Sequence, residues 1–280
     1  MAATAPSWSL DRIGEWGETS AFEVERERIV AYAKATNDDF PAHRSGDLAP
    51  PVFAVVPAFQ SFATAVGAVV PPEILMTVVH GEQDFFYRRP IVPGEVLETR
   101  SAMVGAHARS SGATAIVKVE TRASGGDLTV EQYMTAFFRG AELAESVGEV
   151  APGHSVEHTE DPLAFVEQRF DSDQTHRYAA ASGDPMPIHT DDAFAKSVGL
   201  PGIIVHGLCT MAFCSRAVIE NSCADDPTRL RRLAVRFAGI VQPHEQIATT
   251  LWRADEGRLA FETSTDSGNL AIKDGLAEIA

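Results

Sequence analysis

Asp184 and His189 stand five residues apart in Ser182-Gly-Asp-Pro-Met-Pro-Ile-His189, and His206-Gly207 follows a short way on. A carboxylate and an imidazole at one point can hold a water and move its proton. Pro185 and Pro187 rule out a regular helix between the two, so a bent loop can turn both side chains to one place. Gly207 opens an apolar run. Without a Cβ it lets a ligand come close to its backbone N–H, at the positive end of the helix that follows. Such a donor, aimed at a developing oxyanion, is typically worth ~3 kcal/mol in a barrier. The combination points to proton chemistry beside a carbonyl.

Each residue also has a plainer reading. Gly-Asp is a common turn pair, and a single histidine is often structural. The joint occurrence with Gly207, inside a repeat described below, favours the catalytic one. His189-Thr-Asp191 has the look of a metal half-site, but no further ligand cluster is evident and no metal is expected. His206 reads as a hydrogen-bonded structural residue that shapes the Gly207 turn. Ser215 lies two helical turns beyond Gly207 on the same face, to line a pocket or to pack in the core. Leu208, Met211, Ala212 and Ile219 read as core. Arg229, Arg231 and Arg232 are the one basic cluster, able to meet a ligand phosphate but by default a solvated turn.

The elements that must position these groups can be read in order. Phe22–Val24 is a short strand. Residues 25–35 have helical spacing with Ile29, Tyr32 and Ala33 on one face. Residues 36–51 are loop, and Pro57–Val70 is a helix apolar nearly all round. Met76–Arg88, Glu95–His107, Ala113–Ala123 and Leu128–Arg139 are strands in a meander, separated by turn signals. Residues 141–160 are polar, acidic and rich in Pro and Gly, the best linker candidate. The pattern then restarts: an extended run at Leu163–Phe170, a helix at Ser172–Ala181 capped by Ser172 or Asp173, and a short helix at Asp191–Val198. An apolar helix follows at Leu208–Ile219. Strands are expected at Arg231–Ile240, Glu245–Ala254, Arg258–Thr265 and Asn269–Ile279.

The restart is an internal repeat. Tyr32, Ala35, Asp38, Pro41 and His43 recur at identical offsets as Tyr178, Ala181, Asp184, Pro187 and His189. Pro51-Val-Phe-Ala-Val then matches Pro201-Gly-Ile-Ile-Val. The chain reads as two copies of one α+β fold, residues 1–145 and 146–280, each with a helix before an antiparallel sheet that wraps it. Side by side, two such sheets make one continuous body. In the first copy Asn37 replaces Gly183, which should change the turn before the acid. Val56-Pro57 replaces His206-Gly207, and proline has no N–H to offer an oxyanion. The first copy should therefore be catalytically dead.

Composition bounds the partners. The 280 residues carry a net charge of −16 with 45% hydrophobic and 22% charged residues, an ordinary globular balance. The charge argues against nucleic acid or an anionic membrane as partner. No apolar run is long enough to span a bilayer, and the start has no signal-peptide pattern. Cys209, Cys214 and Cys223 form no C-x-x-C and read as reduced thiols of a cytoplasmic protein.

Ser182-Gly-Asp184-Pro-Met-Pro-Ile-His189, then Asp191, Phe194-Ala and Ile204-Val-His206-Gly207-Leu-Cys-Thr, resembles the hydratase-2 motif of the MaoC-like dehydratases. The whole chain looks like their double-hotdog members, with a degenerate N-terminal copy before an active C-terminal one. The resemblance implies reversible hydration of a trans-2-enoyl-CoA to an (R)-3-hydroxyacyl-CoA. It implies Asp184 and His189 as the catalytic pair and the Gly207 N–H as oxyanion donor. No cofactor is implied beyond the CoA of the substrate, the partner is an acyl-CoA thioester, and a homodimer is possible. The first copy would serve as a wall for the acyl chain. Met186 departs from the motif, which has Asn there, and Met cannot make the hydrogen bonds of an Asn side chain. A hotdog acyl-CoA thioesterase and a non-catalytic acyl-CoA-binding protein are the alternatives, since fold alone does not decide function.

Overall fold

The computed structural model describes residues 7–75 and 77–280; Met76, first residue of the first long strand expected, lies outside the described residues. In chain order the first elements are β1 (Ser20–Glu23), α1 (Arg26–Ala35), α2 (Pro41–Ser45), α3 (Phe59–Val69) and α4 (Pro72–Leu75). Strands β2 (Val78–Tyr87), β3 (Val96–Arg109), β4 (Gly112–Ala123), β5 (Leu128–Arg139) and β6 (Val147–Gly148) follow. Then come β7 (Ala164–Arg169), α5 (Gln174–Ser182), α6 (Asp192–Ser197) and α7 (Gly207–Ser222). The chain closes with β8 (Leu230–Phe237), β9 (Gln246–Arg253), β10 (Arg258–Thr265) and β11 (Leu270–Ile279). The long elements fall where periodicity puts them. Of the two short helices, α2 sits in a stretch read as loop and α4 in one assigned no element, because one turn of helix leaves no 3.6-residue pattern.

Two compact units form, and each draws on separated stretches. One holds the chain up to Phe22 with Pro57–Phe85 and Val96–Gly153; the other holds Glu23–Val56, Phe86–Glu95 and His154–Ala280. The units thus interleave along the sequence, because α1 and α2 group with the C-terminal stretch.

In the first unit the strand order is β1-β3-β4-β5-β2. Only β3, β4 and β5 form the expected meander; β2 pairs beyond β5 instead of beside β3. Their inner face buries Met103, Ala115, Val117, Val119, Ala136 and Phe138 against Ala65, Val66 and Val69 of α3. Each large side chain so buried contributes about 1.5–3 kcal/mol. Helix α3 is not buried all round as expected. Gln60, Ala63, Thr64 and Gly67, at helical spacing, are exposed. Small and polar side chains there cost little in water. Residues 141–160 are also more than a linker: β6 pairs antiparallel with β3 at Gly105↔Gly148 and Ala106↔Val147.

In the second unit the order is β7-β9-β10-β11-β8, and every pairing is antiparallel. This is the first unit's order repeated strand for strand, which is what duplication of one fold requires. Helix α7 lies against β7, β8, β9 and β11, with Leu208–Ser215 and Ala217–Ile219 buried. Phe213 packs on Phe170 with ring centroids 4.4 Å apart. Beneath the helix the Cys214 thiol meets Thr263 Oγ1 at 3.1 Å, so the buried polar atoms are partnered. Helices α1 and α5, the corresponding helices of the two copies, meet through Tyr32 and Tyr178, whose hydroxyls lie 3.2 Å apart.

Candidate active site

The Asp184 carboxylate is placed by how α5 stops. Gly183 takes a left-handed conformation at φ 81°, where glycine is favoured, and turns the chain out of the helix. The Ser182 hydroxyl accepts from the Asp184 N–H at 3.2 Å and donates to the Tyr178 carbonyl at 2.8 Å. Asp184 Oδ1 then accepts from the Met186 N–H at 3.0 Å, closing an Asx turn that leaves Oδ2 free. Pro187–His189 forms a single 3-10 turn that delivers His189. Its Nδ1 meets the Ile204 carbonyl at 2.8 Å. A carbonyl only accepts, so Nδ1 carries the proton and Nε2 is left as a bare acceptor. The Asp–His pair is therefore not hydrogen-bonded to itself; each member is anchored separately.

His206 and Gly207 come from the start of α7. Gly207 is its first residue and His206 its N-cap. The first amides of a helix have no partner inside it, and the Gly207 N–H finds no acceptor among the described residues. A Cβ at Gly207 would sit 2.9 Å from the Phe237 ring, so only glycine fits without displacing it. His206 corrects the sequence reading. It is 2% exposed and neither ring nitrogen makes a well-formed hydrogen bond, the Asp184 backbone carbonyl being only a weak partner. Instead its ring stacks on His189 with centroids 3.7 Å apart and planes at 22°, and tilts against Tyr178 at 4.8 Å. His206 Nε2 lies 3.9 Å from Asp184 Oδ2.

Burial sets the electrostatics. It raises the pKa of the Asp184 carboxyl, against the opposing effects of the Met186 N–H and His189. It lowers that of His189, against the Ile204 carbonyl and Asp184. His206 is driven down to about 2, by burial first and then by His189, against the Asp184 backbone carbonyl, so it stays neutral. One atom each from Asp184, His189 and His206 lie within 4.8 Å of one another. His206 supplies the further ligand that the sequence reading found lacking, so the spacing alone would admit a metal ion as well as a water.

The remaining sequence candidates are engaged elsewhere. Asp191, the supposed half-site partner of His189, caps α6 by accepting from the Phe194 N–H at 3.0 Å. Ser215 is buried and donates to the Ala212 carbonyl, a core role. Arg229 donates to the Ala280 carbonyl, while Arg232 pairs with Glu278 and lies over Phe86. In the first copy Asn37 does not alter the turn as expected. It adopts φ 51°, the same left-handed region as Gly183, which Asn tolerates better than most residues. Asp38 Oδ1 accepts from the Phe40 N–H at 3.0 Å, the Asx turn of Asp184 over again. The difference lies one step on: His43 Nδ1 bonds Asp38 Oδ2 at 2.7 Å, and the pair closes on itself, 1% and 5% exposed.

Comparison with known proteins agrees with this construction. The MaoC-like domain model matches residues 150–274, and the FAS1-like dehydratase domain region matches residues 11–129. A protein named probable enoyl-CoA hydratase 2, from Dictyostelium discoideum, is 30% identical over 209 residues, 73% of this chain and 70% of the relative. The peroxisomal enoyl-CoA hydratase 2 of Arabidopsis thaliana is 30% identical over 262 residues, 86% of this chain and 81% of the relative. The crystal structure of a MaoC-like dehydratase from Phytophthora capsici superposes with TM-score 0.87 at 22% identity, covering 97% of this chain and 99% of that one. A Mycobacterium tuberculosis protein described as a double hotdog matches with TM-score 0.63 over 98% of this chain. With a repeated strand order, an Asp–His loop before an apolar helix, and these relatives over most of its length, this chain belongs to the MaoC-like dehydratase family and has the double hotdog fold.

Proposed function

We infer that the protein is an (R)-specific enoyl-CoA hydratase, adding water reversibly to a trans-2-enoyl-CoA to give an (R)-3-hydroxyacyl-CoA. The observation that carries the reading is the separate anchoring of Asp184 and His189. One is held by the Met186 N–H and the other by the Ile204 carbonyl, so Oδ2 and Nε2 both remain free for a shared water. Relatives at 30% identity carry the name enoyl-CoA hydratase 2. The water oxygen bonds C3 as the C2=C3 electrons move to form the thioester enolate. The proton released passes to the Asp184–His189 pair. The Gly207 N–H donates to the enolate oxygen, where charge develops, with the α7 dipole behind it. The pair then returns a proton to C2, and water has been added with no cofactor. Burial moves the two pKa values toward each other, which lets one proton pass between the groups at small cost.

The test follows the enoyl-thioester absorbance with short, long and ring-bearing trans-2-enoyl-CoAs, with free thiol measured in parallel. Loss of the chromophore without free thiol, and (R)-3-hydroxyacyl-CoA as product, is the expected result. Thiol release on saturated acyl-CoAs would make it a thioesterase. Tight binding without turnover would make it a binding protein. No helix among the described residues is long and apolar enough to cross a membrane. Three free cysteines, all buried, suit a reducing compartment such as the cytoplasm. Sedimentation of the purified chain tests the homodimer.

A further inference from the structure

His206 has a property that a packing residue does not need. It is 2% exposed, yet neither ring nitrogen makes a well-formed hydrogen bond, the Asp184 backbone carbonyl being only a weak partner. A purely structural ring in that position would be better served by an apolar side chain, since buried polar atoms left unpaired are destabilising. Its ring is held between Tyr178 at 4.8 Å and His189 at 3.7 Å. The Tyr178 hydroxyl is not its partner, being turned to Tyr32.

Resting on the hydratase reading, we propose that His206 is a third catalytic residue, whose Nε2–H donates to the oxygen of the reacting water. Two counts support the assignment. The first is distance. One atom each from Asp184, His189 and His206 lie within 4.8 Å of one another. A point central to a triangle no larger than that is at most about 2.8 Å from each corner, so a water in or just off its plane reaches all three at hydrogen-bond length. The second is the balance of donors and acceptors. An ionised Asp184 can only accept, and His189 has spent its one N–H on the Ile204 carbonyl, so its Nε2 can only accept. A water between them donates both hydrogens and still has two lone pairs. One must face C3 of the substrate. The other needs a donor, and His206 Nε2, 3.9 Å from Asp184 Oδ2, is the group placed to supply it. Burial keeps His206 neutral, with a single N–H. With that lone pair taken, the water has one orientation and one face from which to attack.

The first copy shows the arrangement without this part. By the alignment from Pro51, Val56 stands where His206 stands. There the imidazole and the carboxylate bond directly, His43 Nδ1 to Asp38 Oδ2 at 2.7 Å.

Two substitutions in the full chain separate a donor from a packing ring. His206→Phe keeps a flat ring against Tyr178 and His189 and removes the N–H. His206→Gln keeps an N–H donor and removes the ring. With a short trans-2-enoyl-CoA, His206→Phe should lower kcat by at least about tenfold, with KM within about threefold of the parent. His206→Gln should recover part of that loss. Parental kcat in folded His206→Phe would overturn the proposal, and so would a folded His206→Gln variant slower than His206→Phe, since packing would then be what matters. If His206→Phe does not fold, folded His206→Gln decides alone: activity well above that of His189→Ala supports the donor role, and activity as low overturns it. A parent protein that turns over no enoyl-CoA overturns the hydratase reading itself and this role with it.

Discussion

Asp184 illustrates a group kept for chemistry at the expense of stability. Its folded pKa is raised by burial, the reverse of the usual salt-bridged carboxylate. A raised acid pKa means that the folded state prefers the protonated form, so the ionised carboxylate destabilises the fold above that pKa and the cost disappears as pH falls through it. Asp184→Asn keeps an acceptor for the Met186 N–H and removes the charge. Its melting temperature at pH 7 should match or exceed the parent's, while kcat falls by on the order of 10²–10⁴; His189→Ala should lower kcat as far. Calorimetry beside a progress curve tests both, and an Asn variant that is active or clearly less stable contradicts the assignment. His206 gives the opposite pH dependence. The unfolded ring takes a proton below about pH 6.5, whereas the folded one stays neutral down to about 2. Stability should therefore fall with pH below about 6.5, by up to ~1.4 kcal/mol per pH unit from this residue. His189, also lowered by burial, adds to that slope, and Asp184 opposes it. Denaturant melts at pH 7, 6 and 5 should show a shallower decline for His206→Phe than for the parent. Equal slopes would mean that His206 protonates in the folded state.

One device recurs among the elements: a helix stopped by a left-handed residue, an Asx turn, then a single helical turn that carries an imidazole. Gly183, Asp184 and His189 use it after α5, and Asn37, Asp38 and His43 use it after α1. The outcome differs through the acceptor that His Nδ1 finds, the Ile204 carbonyl in one copy and the Asp38 carboxylate in the other. A buried pair that closes on itself holds structure together and has no free carboxylate oxygen beside its imidazole for a water. The double change Asp38→Asn, His43→Ala should thus leave kcat within a few-fold of the parent, while the melting temperature drops by several degrees. Abolished turnover in a variant that is still folded at the assay temperature would make the first copy part of the active site.

For the whole molecule, the interleaved units imply that the catalytic half of the sequence is not self-sufficient. The unit that contains Asp184, His189 and Gly207 also contains Glu23–Val56 and Phe86–Glu95. A fragment of residues 151–280 loses α1, and with it the hydroxyl that partners Tyr178, the carbonyl of Ala35 that accepts from Gln174, and the Asn37 contact to Arg177. The newly bared face of α5 is buried and partly apolar in the intact chain. The fragment should be insoluble or self-associate, and a well-behaved, fully active monomer on size exclusion with light scattering would refute this.

Much of the design is written in local sequence. The offsets from Tyr32 to His43 and from Tyr178 to His189 mark the duplication. Prolines bend the Asp–His loop, and Gly207 opens an apolar helix. These are short-range facts, because turn chemistry and amphipathic period depend on residues a few positions apart. The strand order was not legible: β2 pairs beyond β5, a choice made by long-range sheet closure that no local pattern records. Nor was the burial of α3 on one face only, which depends on what packs around it. The same holds at the site. Whether a histidine ring turns to Ile204 or to Asp38 depends on which carbonyl or carboxylate the fold brings up. His206, read as a hydrogen-bonded structural residue, gains its candidate role from two nitrogens left without a well-formed hydrogen bond. Such a vacancy is created by the positions of Tyr178, His189 and Asp184, which the chain brings together from two helices and a loop.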